Sequence, residues 1–304
     1  MKHSGMKRAL ITGLDGFTGQ YLAREMESAG WEVYGIGMAE LPASPRYRCI
    51  DLADAAGLAS LINDVQPDAV AHLAGIAFVG HGDAEAFYRV NLIGTRNLLE
   101  ALAKTGKPLR RVLLASSANI YGNAAEGVLD ESTRPNPAND YAVSKLAMEY
   151  MAHLWFDRLP IVIARPFNYT GVGQSISFLL PKIVDHFRRR ADVIELGNLD
   201  VWRDFSDVRW VAAVYRRLLE CAPAGETVNV CSGKTHSLRQ VLEMAETITG
   251  HSINVEVNPA FVRQNEVKTL SGDPARLQEL IGELEAPSLE TTLRWMLSHE
   301  PIAG

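Results

Sequence analysis

The segment Lys7-Arg8-Ala9-Leu10-Ile11-Thr12-Gly13-Leu14-Asp15-Gly16-Phe17-Thr18-Gly19, leading into the helical stretch Gln20 to Ala29, constrains the fold more than any other. An apolar run that meets three glycines and then a helical pattern is the strand–turn–helix opening of a dinucleotide-binding fold. Glycines there allow a tight turn, close approach of a pyrophosphate and close packing of helix on strand. The helix N-terminus then faces the phosphates. The spacing is GxxGxxG rather than GxGxxG, and a glycine trio alone is a weak signal.

The rest of the first half fits that opening. Strands are expected at Trp31–Gly37, Tyr47–Ile50, Asp68–Leu73, Arg111–Ser116 and Ile161–Arg165, with long helical patterns at Asp83–Thr105 and Tyr141–Phe156. Such alternation predicts an α/β fold, a Rossmann-type doubly wound parallel sheet covered on both faces. From Phe167 onward proline, glycine and polar residues interrupt the pattern, which predicts a smaller C-terminal substrate-binding lobe. The expected division is a nucleotide-binding domain over 6–166 and a lobe over 167–304, with a segment near 200–235 returning to the first domain. Met1 to Gly5 reads as a loose extension. In an open sheet of this kind ligands sit beyond the carboxyl ends of the strands. Gly13, Asp51, Ala74, Ser117 and Arg165 all fall there and are expected to converge on one cleft.

Composition removes several function classes. A chain of 304 residues with 47% hydrophobic content can bury one large core plus a lobe. A net charge of −6 argues against nucleic-acid binding. No apolar run approaches a membrane span and no signal-peptide core precedes the first strand. The three cysteines, Cys49, Cys221 and Cys231, form no CxxC pair, so reduced thiols, no metal site and a cytoplasmic location are expected.

The chemistry is carried by Tyr141-Ala142-Val143-Ser144-Lys145 together with Ser117. Four residues apart on a helix, Tyr141 and Lys145 share a face. A phenol normally titrates near pH ~10. A neighbouring ammonium favours the phenolate and is expected to draw that pKa toward the working range of a general acid/base. Ser117 can supply a hydroxyl to hold a carbonyl oxygen beside the phenol.

The glycine loop and the YxxxK set together resemble the extended short-chain dehydrogenase/reductase family. The resemblance implies that Gly13, Gly16, Phe17 and Gly19 cradle a nicotinamide dinucleotide, that Asp51 and Leu52 contact its adenine, and that Leu73 and Ala74 line it. Tyr141 and Lys145 would touch it from the catalytic side. Asp51 also reads as an N-cap for a helical run Ala53 to Asn63, and both roles can hold at once. Asn91 matches a position that is usually scaffold. Cofactor choice is poorly marked: Gly35-Ile36-Gly37-Met38 carries neither an acid nor an arginine, and Glu40 comes late. Arg46 and Arg48 could reach a 2′-phosphate, so NADPH is favoured, with NADH or dual use open.

The residues after Ser117 narrow the reaction. Sugar-nucleotide 4,6-dehydratases of this family carry a carboxylic residue just after the catalytic Ser/Thr, and the related 3,5-epimerase/4-reductases place a cysteine where Asn119 stands. Here the positions hold Ala118 and Asn119, neither of which is an acid or base at neutral pH. What remains is hydride exchange at C4 of a sugar.

The second half carries more specific motifs. Arg165-Pro166-Phe167-Asn168-Tyr169-Thr170-Gly171-Val172-Gly173-Gln174 resembles the RPFNHxGPGQ segment of GDP-4-dehydro-6-deoxy-mannose reductases. Phe178 to Ile183 is similar to the stretch whose lysine, here Lys182, reaches guanine. Leu196 to Val208 is similar to GNLDxxRDFxDV, whose arginine, here Arg203, holds the diphosphate. Asn229 to Lys234 reads NVCSGK, and Arg263 with Glu266 stands where the family has a diphosphate arginine and a ribose acid. Arginine forks suit phosphate oxygens. The family's histidine after Asn168 is Tyr169, and a proline after the late arginine is Gln264; these departures bear on the fine sugar contacts. The resemblance implies a GDP-linked 4-keto-6-deoxy sugar as substrate, reduced at C4 to GDP-D-rhamnose, and a homodimer formed by the long helix after the fourth strand and the catalytic helix. Alternatives are a reductase of the opposite face giving GDP-6-deoxy-D-talose, an epimerase or dehydratase on another nucleotide, and a non-catalytic NADP-binding regulator.

Overall fold

The structure is a computed structural model describing residues 6–40, 44–77, 83–122, 127–261 and 268–299. In chain order it begins with β1 (Arg8–Thr12), α1 (Phe17–Ser28), β2 (Glu32–Gly37), β3 (Tyr47–Cys49), α2 (Ala55–Val65), β4 (Ala69–His72), α3 (Ala84–Phe87), α4 (Thr95–Lys104), β5 (Arg111–Ala115), β6 (Gly127–Leu129), α5 (Asp140–His153) and β7 (Ile161–Pro166). It continues with β8 (Asn168–Thr170), α6 (Leu179–Arg188), β9 (Val193–Leu196), β10 (Trp202–Asp207), α7 (Val208–Cys221), β11 (Thr227–Val230), β12 (Thr235–Ser237), α8 (Leu238–Thr249), β13 (Asn254–Val257), β14 (Thr269–Gly272), α9 (Ala275–Ile281) and α10 (Leu289–Ser298).

Seven parallel strands form the central sheet in the order β11-β7-β5-β4-β1-β2-β3. Their interiors are almost entirely apolar, as strands buried on both faces must be; Leu10, Ile11, Val70, Leu113, Val162 and Ile163 are fully buried. One face is covered by α1, α7 and α9, which contribute Leu22, Met26, Val211, Leu218 and Leu277. The other is covered by α2, α4 and α5, through Leu58, Ile62, Leu98, Leu99 and Met148. Each such side chain stabilises the fold by about 1.5–3 kcal/mol, so the strand ends that carry the site hang from a rigid frame. The chain leaves β1 toward β2 and β3, then crosses back to β4 on the other side. That reversal between β1 and β4 is where an open sheet binds its ligand.

The strands fall within a residue or two of their sequence expectations. The long helix expected over 83–105 instead contains a π-helical segment, Tyr88–Gly94, between α3 and α4. Its wider turn coincides with close packing of Gly94 on Leu52, where an added Cβ would lie 2.8 Å from the leucine Cβ. The cap expected of Asp51 belongs to Asp54, which accepts from the Gly57 amide at the start of α2; Asp51 instead closes a turn by accepting from Ala53 N.

Late segments of the chain divide between the two regions. In the lobe, β12, β10, β14 and β6 form one sheet, with β8 also on β10, and β9 pairs with β13. Helices α6, α8 and α10 close over a separate core that includes Ile183, Phe187, Val241 and Leu293. Between β10 and β12 the chain returns to the central sheet, with α7 against α1 and β11 beside β7. Strand β7 runs through Phe167 directly into β8, so one continuous segment links the central sheet to the lobe.

Candidate active site

The glycine loop is built by contact between strand ends. Gly13 has φ +71°, and a Cβ on it would stand 2.9 Å from the Ala74 backbone, so only glycine lets the ends of β1 and β4 meet this closely. A Cβ on Gly19 would run into the Gly13 carbonyl. Gly16 caps α1 with no side-chain hydrogen bond, which leaves the first amides of that helix directed at the loop for an anion. Phe17 stacks on Tyr169 with ring centroids 6.2 Å apart, and the Tyr169 hydroxyl bonds Thr18 Oγ1 at 2.8 Å. Tyr169 therefore ties the loop to the lobe, a role the sequence did not suggest for it.

Beneath the loop lies a buried polar chain. Ala74 N–H donates to Thr12 Oγ1 at 3.2 Å, and Thr12 lies 2.7 Å from His72 Nδ1. His72 Nε2 lies 2.8 Å from Thr95 Oγ1, which donates to the Asn91 carbonyl. One proton arrangement satisfies every group: Thr12 donates to Nδ1, and Nε2–H donates to Thr95. Burial, with Lys145 nearby, drives His72 down to about 3, so it is neutral here. Asn91 is buried; its Oδ1 accepts from Ile76 N at 2.9 Å and its Nδ2 donates to Ser144 Oγ at 3.1 Å. The scaffold role expected of Asn91 fits these contacts.

Helix α5 starts at the Asn139 cap, whose side chain accepts from Ala142 N at 2.9 Å. It presents Tyr141 and Lys145 on one face, and with Ser117 at the end of β5 all three are buried. Lys145 Nζ donates to the Ala115 carbonyl at 2.8 Å, and a Cβ on Gly75 would lie 3.2 Å from it. Strand ends β4 and β5 thus meet α5 at one point. Ser117 Oγ accepts from the Asn119 amide at 3.1 Å and from its side chain at 3.2 Å, so the serine's own proton is free to serve a carbonyl or phenol oxygen.

Burial pushes Tyr141 up to about 12, with Ser117 pulling it down and Tyr169 pushing it up. The lowering expected from Lys145 is not among the forces on the phenol. Burial takes Lys145 itself down to about 8, with Glu149 one turn further along α5 opposing that fall. The site as folded holds a protonated phenol and a lysine that titrates near the physiological range.

Arg165, expected in the cleft, lies beneath it instead. Its guanidinium is buried against Glu149, with Nη2 2.7 Å from Oε2, and Nη1 donates to Tyr121 Oη at 3.0 Å. Glu149 also accepts from Ser116 Oγ, and Tyr121 donates to Asn229 Oδ1 at 2.7 Å. A buried guanidinium needs such pairing, and the strand end that carries it points under α5.

Of the residues expected to hold substrate, Asn168, Lys182 and Arg203 lie on lobe elements β8, α6 and β10. Asn168 on β8 pairs in register with Phe205, two residues from Arg203 on β10, and its Nδ2 donates to the Asp204 carbonyl at 3.4 Å. Arg203 Nη1 donates to the carbonyl of Trp202 at 2.9 Å. Lys182 donates to the Glu195 carbonyl at 2.7 Å and lies over the Phe261 ring. Asp204 is buried and fixes the NVCSGK turn, accepting from the Ser232 amide and hydroxyl and from Gly233 N. Arg263 and Glu266 lie outside the described residues.

At the adenosine end, the arginines expected to meet a 2′-phosphate are engaged elsewhere: Arg46 with Glu32 at 3.3 Å and Arg48 with Asp64 at 2.9 Å. The side chain at that position is Asp15, which sequence reasoning passed over. Its place in the glycine loop, one residue before Gly16, was the available signal.

The model of the family described as GDP-mannose 4,6 dehydratase matches residues 10–296. A Pseudomonas aeruginosa protein named GDP-6-deoxy-D-mannose reductase is 36% identical over 96% of each chain. A GDP-6-deoxy-D-talose 4-dehydrogenase from Aggregatibacter actinomycetemcomitans is 35% identical over 90% of this chain and 91% of its own. Among solved structures, RMD from Pseudomonas aeruginosa complexed with NADPH superposes with a TM-score of 0.85 at 34% identity, covering 96% of this chain and 97% of its own. A Burkholderia cenocepacia J2315 protein, provisionally described as an epimerase, gives a TM-score of 0.91 at 55% identity over 96% and 97% of the two chains. With the glycine loop, the Ser117–Tyr141–Lys145 cluster and a family match over nearly its whole length, the chain belongs to the GDP-mannose 4,6 dehydratase family of extended short-chain dehydrogenases/reductases.

Proposed function

We propose that this chain is an NAD(P)H-dependent 4-ketoreductase that converts GDP-4-dehydro-6-deoxy-D-mannose to GDP-D-rhamnose. The observation that carries the reading lies immediately after Ser117: Ala118 is buried and Asn119 turns its amide onto the serine. No acid or thiol stands there to remove a proton from the sugar. Cys231 is buried, and burial pushes its thiol up, so it is inert. Similarity to the Pseudomonas aeruginosa reductase supports the substrate, since 6-deoxymannose is rhamnose, and RMD with NADPH supports the cofactor.

The cradle of Gly13, Gly16 and Gly19 and the α1 amides fit a dinucleotide diphosphate. A bound nicotinamide would supply hydride to C4. Tyr141 gives its proton to the C4 oxygen, a task for which a pKa of about 12 keeps it loaded. Ser117 donates to the same oxygen and stabilises the charge that develops on it. Lys145 would hold the dinucleotide's ribose and, when protonated, place positive charge one turn from the phenol. Asn168, Lys182, Arg203, Arg263 and Glu266 hold the nucleotide sugar, the arginines on its diphosphate, and thereby place the ketone against the phenol.

The talose-forming variant of the same reaction has support of its own in the 35% identical talose dehydrogenase. The two differ in the face that receives hydride. A homodimer through the long helix after β4 and α5 is supported by exposed Ile93 on its π segment, Val143 and Tyr150 on α5, and Leu154 just past the end of α5. No described helix is long and apolar enough to cross a membrane, and the enzyme is assigned to the cytoplasm, where nucleotide sugars and reduced cofactors meet. Purified protein given GDP-mannose and oxidised cofactor forms no 4-keto-6-deoxy sugar on this reading. Accumulation of that product would make the chain a dehydratase.

A further inference from the structure

The carboxyl end of β2 is unusual in having its side chains supplied from another segment. Gly13 N and Leu14 N both donate to the Ile36 carbonyl, at 2.7 and 3.0 Å, and so sew the glycine loop onto β2. Residues of that loop then fill the two glycine positions of the strand. The Leu14 side chain stands over Gly35, and the Asp15 carboxyl stands over Gly37, where an added Cβ would overlap it. Asp15 Oδ2 accepts from two consecutive backbone amides, Met38 N at 2.9 Å and Ala39 N at 2.8 Å. The Tyr47 hydroxyl closes the same corner by donating to the Ala39 carbonyl at 2.8 Å.

Two consecutive amides at a strand end form a small anion seat. In a Rossmann fold the end of the second strand is also where the adenosine ribose is read: an acid there accepts from the 2′-hydroxyl, whereas a 2′-phosphate needs donors and cations. Here the donors are present, and a carboxylate already sits on them. The two arginines closest in sequence are paired with Glu32 and Asp64.

Building on the reading that this chain binds a nicotinamide dinucleotide, we propose that Asp15 sets its preference at the 2′ position, by holding the Met38 and Ala39 amides that a 2′-phosphate would use and offering a carboxylate acceptor to a 2′-hydroxyl. The acid that Rossmann folds usually carry on β2 is thus moved to the glycine loop, and Gly37 is the vacancy that admits it. NADPH binds this chain only with Asp15 displaced from the two amides or with like charges close together. NADH binds with Asp15 where it is.

Calorimetric titration of NADH and NADPH into wild type, Asp15→Asn and Asp15→Ser tests this without turnover. Asparagine keeps an oxygen for the two amides and removes the charge; serine removes most of the side chain. The ratio of the NADPH to the NADH dissociation constant should fall about tenfold in both variants, the scale of one like-charge contact near a surface. The fragments 2′,5′-ADP and 5′-AMP should show the same shift. An unchanged ratio, or an equal loss of both dinucleotides, would make Asp15 a loop-stabilising residue and overturn the proposal while leaving the ketoreductase intact. Failure of wild type to bind either dinucleotide would instead overturn both.

Discussion

The side chain of Asn91 donates to the Ser144 hydroxyl at 3.1 Å, and Ser144 passes the link on by donating to the Tyr141 carbonyl at 2.8 Å. The π segment that carries Asn91 is therefore joined to the backbone of the candidate acid. Through the Asn91 carbonyl, Thr95, His72 and Thr12 the same chain continues to the glycine loop. Asn91→Ala should leave Ser144 and the Ile76 backbone without their partner and cost on the order of 2 kcal/mol, the scale of a buried polar group left unpaired. Urea unfolding measures this, and a midpoint equal to wild type would mean that the link bears no stability.

Tyr141→Phe removes the proton donor and keeps the ring. Turnover should fall at least ~100-fold, the usual scale for a general acid, while calorimetric affinity for GDP stays near wild type. Wild-type kcat in this variant would assign the proton to another group.

The lowered pKa of Lys145, about 8, gives a pH dependence with a definite sign. The ammonium is present below that value and lost above it, so kcat/KM should be level on the acid side and fall as pH rises through about 8. Stability moves the other way. The unfolded lysine holds its proton up to about 10.5, so between the two values the unfolded state binds more protons and this group's contribution to stability rises with pH. Activity lost across that window is therefore not unfolding caused by Lys145. A profile level to pH ~10, near the ordinary lysine value, would contradict a role for the charge.

Glu149 should act on both levels. It supports the charge of Lys145 and neutralises buried Arg165. Glu149→Gln is expected to cost about 3–5 kcal/mol, as removal of one member of a buried ion pair does, and to move the alkaline limb of kcat/KM to lower pH. Thermal unfolding and the pH profile read the two effects separately. A stability loss with no movement of the limb would reduce Glu149 to a structural role.

Much of the site is legible in sequence because strand ends are. Gly13, Ala74 and Ser117 each come after a short apolar run, and a parallel sheet leaves such runs nowhere to go but its centre. Local spacing also put Tyr141 and Lys145 on one face. What the sequence hides is which way a strand-end residue turns. Arg165 lies at the end of β7 as Ser117 lies at the end of β5, yet it turns under α5 because Glu149 is there to receive it. Asp51 was expected to cap α2, but the cap falls to Asp54. Asp15 shows the same limit: its contact with Met38 and Ala39 spans more than twenty positions and depends on Gly37 having no side chain. Helix spacing also says nothing of burial, which is the largest influence on both Tyr141 and Lys145.

The ketoreductase assignment is tested most directly by NMR identification of the product formed from GDP-4-dehydro-6-deoxy-D-mannose with NADPH or NADH. The expected result is stoichiometric oxidation of the cofactor and a single new sugar, GDP-D-rhamnose. Formation of GDP-6-deoxy-D-talose would reverse the face of attack, and unchanged substrate with unoxidised cofactor would contradict the assignment itself.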